Sequence, residues 1–239
     1  LMAGINAHLK GQGEKPFILK RNEAYIGVLI DDLISKGTQE PYRMFTSRAE
    51  FRTLLRQDNA DIRLTEMSYR IGLASQKRMD QVLQKNNDVE SIKEIFKNNS
   101  LEPTEINEFF TAVKSSTISE KQKLDKVLLR PNLGVYDLIN HVPKVKNILT
   151  GFSNEAIEQA EIQTKYQVYI EKEKELVEKM RLMEDLEIPE SFDYQRITSL
   201  GVEAKEKLIK RRPRTLGQAS RISGINPTDV QILMVYMGR

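Results

Sequence analysis

The sequence predicts a mainly all-α fold, and three observations carry that prediction. Apolar residues recur at three- and four-residue spacing in stretch after stretch. After Ser75 glycine becomes scarce, and no strand-type alternation follows residue 65. Helix punctuation is frequent, with Ser153 and Asn226 at cap positions and Pro103 and Pro227 at first-turn positions.

Leu1 to Lys10 reads as the second half of a helix stopped by Gly11. It has no cap, no methionine at position 1 and no signal-peptide pattern, so a chain cut within a helix of a longer protein is expected. Gly11 to Lys20 is a loop. Arg21 to Ser35 is an amphipathic helix, with Tyr25, Val28, Leu29 and Leu33 at helical spacing, Asn22 as its cap and Gly37 as its stop. Asp58-Asn59-Ala60-Asp61 is turn chemistry; residues 61–65 are too short to assign, and Thr65 caps a brief helix ending at Gly72. Helices are then expected at 76–98, at 103–113, at 119–129 before Arg130-Pro131, and after Gly134 as a short one ending before Pro143. Ser153 caps a long helix from Asn154 to about Glu187. Along it Ile162, Tyr166, Tyr169, Leu176, Met180 and Met183 form a stripe expected to face a core, with Glu173 as its one polar intrusion. Ile188-Pro189 breaks the chain, residues 193–197 cross over, and three short helices follow at 201–211, 215–223 and 227–238. Three regions are expected: 1–65, 66–190 and 191–239.

One stretch, Glu40 to Arg56, carries the densest chemistry. Arg43, Arg48, Arg52 and Arg56 fall within fourteen residues, interleaved with Tyr42, Phe45 and Phe51. Ser47 and Glu50 have capping-box spacing, which predicts a helix from about Arg48 with Arg48, Arg52 and Arg56 on one face. Such a stripe suits phosphates and stacked bases. It also suits a solvated, ion-paired face with Glu50, Asp58 and Asp61 as counter-ions, or a structural role in which Arg43 and Arg52 brace Asp31, Asp32 or Glu50.

The 37 basic and 34 acidic residues nearly cancel, at a net +3. The charge is uneven: residues 201–239 hold eight basic and three acidic groups, a local +5, which suits a polyanion or an acidic protein. Cysteine is absent, so there is no disulfide, thiolate nucleophile or cysteine metal site, and two histidines, His8 and His141, do not make a histidine metal site. No nucleophile–base–orienter set and no phosphate-cradling glycine loop is legible, so neither a catalytic residue nor a metal ligand is expected in the chain. Asp31 and Asp32 are adjacent on a helix and should point apart. Thr215 to Met237 resembles a helix-turn-helix loosely, with Gly224 one place late. A free-standing helical interaction module, binding DNA through this tail, is therefore the alternative reading.

Longer motifs carry a resemblance. They are Arg21-Asn22-Glu23-Ala24-Tyr25-Ile26-Gly27-Val28-Leu29-Ile30-Asp31-Asp32-Leu33, then Glu40 to Arg56, then Asp58 to Thr65. Ala3, Gly4, Asn6 and Ala7, Ile188-Pro189, Phe192-Asp193-Tyr194 and Arg212 to Gly224 extend the match along nearly the whole chain. Together they resemble the MnmG/GidA family, flavoproteins that modify the tRNA wobble uridine. One departure is Lys165-Tyr166-Gln167-Val168-Tyr169-Ile170, where the family often has Lys-Tyr-Glu-Gly-Tyr-Ile. The resemblance implies the tail end of an α/β FAD-binding domain followed by a helical C-terminal domain. It implies FAD and NADH in the full-length protein, with none bound by this chain, and partners that are tRNA, the GTPase MnmE and a second copy, in the cytoplasm and without a membrane. The residues expected to touch tRNA are Arg43, Arg48, Arg52, Arg56, Lys210, Arg211 and Arg212. Those expected to touch MnmE are Arg221, Leu233, Val235 and Tyr236.

Overall fold

The computed structural model describes residues 1–36, 41–184 and 186–238; the side chains of residues 36 and 182–184 also lie outside the description. The expected helix stop at Gly37, Glu40 of the arginine stretch and the side chain of Met183 therefore fall outside the described residues. The described residues are mainly α-helical, as expected. Their contacts gather into two compact units: residues 1–55 with 172–239, and residues 56–171.

The second unit is built on α3 (Ala60–Arg70), α4 (Gln76–Asn98) and α9 (Asn154–Lys165), with α4 packed against both of the others. Ser75 starts α4 by accepting a hydrogen bond from the Arg78 amide at 3.3 Å, and α4 buries Val82, Val89, Ile92 and Phe96. Ser153 caps α9 through the Ala156 amide at 3.2 Å. Between them lie β1 (Ser100–Leu101), α5 (Pro103–Ala112), β2 (Gln122–Lys123), α6 (Leu124–Leu128), α7 (Val135–His141) and α8 (Pro143–Leu149). The strands pair antiparallel, Ser100 opposite Lys123. One continuous core runs from Val89 through Phe96, Phe110, Leu124, Leu138 and Val145 to Ala160.

Several expectations change here. The helix expected to start at Thr65 begins at Ala60, and Thr65 is buried within it. The helix expected over 119–129 is shortened to α6, because residues 122–123 pair with β1 instead. Pro143 ends α7 but also opens α8, since a first-turn proline has no amide to lose. The long helix breaks at Tyr166, and α10 (Gln167–Glu184) follows. The stripe expected to face a core is largely in solvent: Tyr166 is 49% exposed, Tyr169 62% and Leu176 46%. The buried face of α9 is instead Ala156, Ile157, Gln159 and Ala160.

The first unit contains α1 (Met2–Gly11), α2 (Tyr25–Lys36), a 3₁₀ turn at Thr46–Arg48, and the tail helices α11 (Val202–Arg211), α12 (Leu216–Ser220) and α13 (Pro227–Tyr236). Helix α2 begins at Tyr25, three residues beyond the expected cap Asn22. Asn226 caps α13 through the Asp229 amide at 2.9 Å. Leading into Pro189 the chain pairs with the α11–α12 connection: Ile188 N–H donates to Arg214 O at 2.8 Å and Leu216 N–H to Leu186 O at 3.0 Å. The tail core is Tyr194, Ile197, Leu208, Leu216, Ala219 and Leu233. Helix α12 also packs on α2.

Candidate functional site

The site grows from the start of α2. Gly27 lets the 19–20 backbone lie directly on that helix; a Cβ there would sit 2.4 Å from Lys20 O and 2.5 Å from Leu19 O. That close approach delivers Arg21, which is 8% exposed, to the far half of α2. Its Nη1 donates to Asp31 at 3.0 Å, Asp32 at 2.8 Å and Val28 O at 3.4 Å. Its Nε and Nη2 donate to Glu50 at 3.2 and 2.7 Å, and Nη2 also to Arg48 O at 3.2 Å. Burial alone would lower the Arg21 pKa, but hydrogen bonds to Glu50 and Asp32 outweigh it and raise it, so the guanidinium stays charged.

Two further arginines complete the cluster. Arg221, just beyond α12, grips Asp31 with both prongs at 2.7 and 3.0 Å. Arg48 lies over the Tyr42 ring at 4.6 Å, donates its Nε to Arg43 O at 3.1 Å and stands 3.7 Å from Asp32. The Tyr42 hydroxyl donates to Asp32 at 2.9 Å; burial first, then this bond, holds the phenol above its usual pKa. Among the described residues three guanidiniums thus meet three carboxylates. Asp31 and Asp32, expected to point apart, converge on one guanidinium nitrogen.

The arginine helix does not form. Beyond the 3₁₀ turn at Thr46–Arg48, residues 49–59 contain isolated turns and no α-helix. The expected capping box fails because Glu50 gives its carboxylate to Arg21. Burial of Ala49, Phe51 and Leu55 sets the path of the chain. The amides of Thr53 and Leu54 donate to Glu173, at 3.2 and 3.0 Å, so the polar intrusion on α10 serves to hold this segment.

Consequently Arg48, Arg52 and Arg56 share no stripe. Arg48 turns inward, while Arg52 is exposed. Arg56 belongs to the second unit and pairs with Asp58 at 3.0 Å. Burial would raise the Asp58 pKa, yet hydrogen bonds from Arg56 and Gln159 hold it below the usual carboxylate range. Arg43 is exposed and lies 5.2 Å from the centre of the Phe45 ring, itself 49% exposed. The bracing role falls to Arg21, Arg48 and Arg221 rather than to Arg43 and Arg52. Arg21 was missed because its partners stand ten to 29 residues away, a separation that charge patterning does not read.

In the tail Lys210 is exposed and Arg211 half-buried. Arg212 ends α11 in the left-handed region at φ 46° and donates to Glu190 O and Phe192 O, both at 3.3 Å, which ties it to the preceding loop. Of the residues expected to meet a protein partner, Leu233 is fully buried and Arg221 is held by Asp31, so neither side chain is offered to a partner in this fold. Val235 is 71% exposed and Tyr236 47%. Helix α13 bears no basic residue, so the helix-turn-helix reading lacks a cation where a recognition helix would need one. Among the described residues there is no cluster of metal-ligating side chains, and no helix is long and apolar enough to cross a membrane.

Comparison with known proteins decides the relationship. A family model described as the tRNA modifying enzyme MnmG/GidA C-terminal helical domain matches residues 76–174, and one described as its C-terminal helical bundle matches 176–239. The chain belongs to the MnmG/GidA family. It is 53% identical over 244 residues to the tRNA uridine 5-carboxymethylaminomethyl modification enzyme MnmG of Flavobacterium psychrophilum, covering all of this chain. To the same-named protein of Cytophaga hutchinsonii it is 52% identical over 239 residues. The chain spans 38% of the length of each of these MnmG relatives. The structure of Aquifex aeolicus GidA in its form II crystal superposes with a TM-score of 0.79 at 38% identity, over 99% of this chain and 36% of that one.

Proposed function

We propose that this chain is the tRNA- and partner-holding part of a flavoprotein that, with the GTPase MnmE, modifies C5 of the tRNA wobble uridine. In this reading FAD, NADH and the catalytic groups are held by the remaining length that its MnmG relatives possess, the enzyme works as a homodimer in the cytoplasm, and this chain alone is inactive. One observation carries the RNA-binding part. Arg43 and Arg52 are exposed, Arg43 on backbone held by Arg48 and Arg52 beside amides held by Glu173, and among the described residues neither is held in an ion pair. With the backbone already held, only side-chain freedom is lost when these cations meet phosphate. Lys210 adds a further exposed cation at the end of α11. Val235 and Tyr236 supply apolar surface for MnmE.

The test is tRNA affinity as a function of salt. Arg43→Ala and Arg52→Ala should each weaken binding and lower the salt slope by roughly one unit. Arg48→Ala should act mainly by lowering stability. Unchanged affinity and slope in both variants, with intact folds, would remove the RNA-binding role. Val235→Asp with Tyr236→Ala should weaken MnmE binding at least ten-fold without moving the thermal transition; unchanged binding would place docking elsewhere.

A further inference from the structure

We infer that Phe45 is a stacking platform for one unpaired base of the bound RNA, with Arg43 as its fixed backing; this rests on the RNA-binding reading above and names what the loop recognises. Phe45 is extended, with φ −104° and ψ 147°, and from Pro41 to Phe45 exposed and half-buried residues alternate. In extended backbone successive side chains point to opposite sides. Tyr42 and Met44 accordingly turn inward, Tyr42 to Asp32 and Met44 onto the cluster of Val28, Ala49 and Leu55. Arg43 and Phe45 turn outward on the same side.

Phe45 joins none of the buried clusters among the described residues. Its ring is instead paired with the Arg43 guanidinium at 5.2 Å, and about half of its surface remains in water. A guanidinium beside a ring orients the ring and polarises it, and an aromatic face with an adjacent cation suits a base with its phosphate. Exposed Arg52 adds charge from the same segment.

The platform is also held rigid. Arg43 O accepts from Arg48 Nε at 3.1 Å, Arg48 O accepts from Arg21, and Tyr42 is tied to Asp32, so both ends of the 42–48 segment hang from the buried cluster. Stacking tolerates any base but requires it to be unpaired, which a duplex does not offer.

The experiment compares binding of the chain to an anticodon stem-loop RNA carrying 2-aminopurine in its loop and to a duplex of equal length. The wild-type protein should prefer the stem-loop and quench its fluorescence. Phe45→Leu keeps apolar bulk but removes the ring; it should lose the quench, weaken stem-loop binding on the order of ten-fold and leave the salt slope unchanged. Phe45→Tyr should restore both signals. If Phe45→Leu binds and quenches like wild type while Arg52→Ala weakens binding, the stacking role is overturned and the phosphate-binding reading stands. If Phe45→Leu lowers the thermal transition by several degrees, the ring is structural and the inference falls. If the wild-type protein binds neither RNA, the RNA-binding reading itself fails.

Discussion

Replacing Arg21 with methionine would take from Asp32, whose side chain is fully buried, the guanidinium that lies 2.8 Å from it. Breaking a buried pair from one side costs about 3–5 kcal/mol. Denaturant midpoints should report that loss for Arg21→Met, and a smaller one for the double variant Arg21→Met/Asp32→Asn, which removes the stranded charge. The Tyr42 phenol gives a local readout. Its pKa is raised in the folded protein, so its contribution to stability is full below the unfolded value near 10 and is lost as pH rises above it. Asp32→Asn should bring the phenol back toward that value in an absorbance titration. That arginine would brace Asp31, Asp32 or Glu50 was legible; that Arg21 would do so was not. Adjacent aspartates on a helix diverge at their Cα atoms, yet their carboxylates both reach one nitrogen of Arg21.

Helices whose ends carry their own chemistry were legible: α5, α9 and α13 start where Pro103, Ser153 and Asn226 place them, and α4 spans the expected 76–98. Elements decided by distant side chains were not. The arginine segment has helical spacing, but Arg21 removes its cap and Glu173 takes its amides. Two-residue strands are too short to show alternation. On α9, Gln159 is 2% exposed, donates to Asp58 O at 3.1 Å and to the Asp58 carboxylate, and its Oε1 has no partner among the described residues. Gln159→Glu would set two carboxylates against each other. The new group's folded pKa should be raised, so the variant should approach wild-type stability at low pH and fall behind as pH rises toward neutrality. Thermal scans from about pH 5 to 8 check this; a constant deficit across that range would contradict it.

At the scale of the whole chain, each unit has its own core: Phe96, Phe110 and Leu138 in residues 56–171, Leu208, Leu216 and Leu233 in the other. Truncating a buried phenylalanine costs about 3–5 kcal/mol. Phe110→Ala should therefore speed hydrogen exchange within α4, α5 and α9 while α11 and α13 keep their protection; equal loss in both would mean one cooperative block. The expected three-part order followed the sequence linearly, whereas the first unit is drawn from both ends of the chain. That arrangement has a temporal consequence. Asp31 emerges from the ribosome 190 residues before Arg221, its partner on the tail. At cellular synthesis speeds this is a wait of roughly 10–40 s. Throughout it residues 1–55 lack the tail against which α2 packs, while the intervening 56–171 already have everything needed to collapse. The inner unit is thus set to fold first, and the outer one to close only after synthesis has passed residue 221.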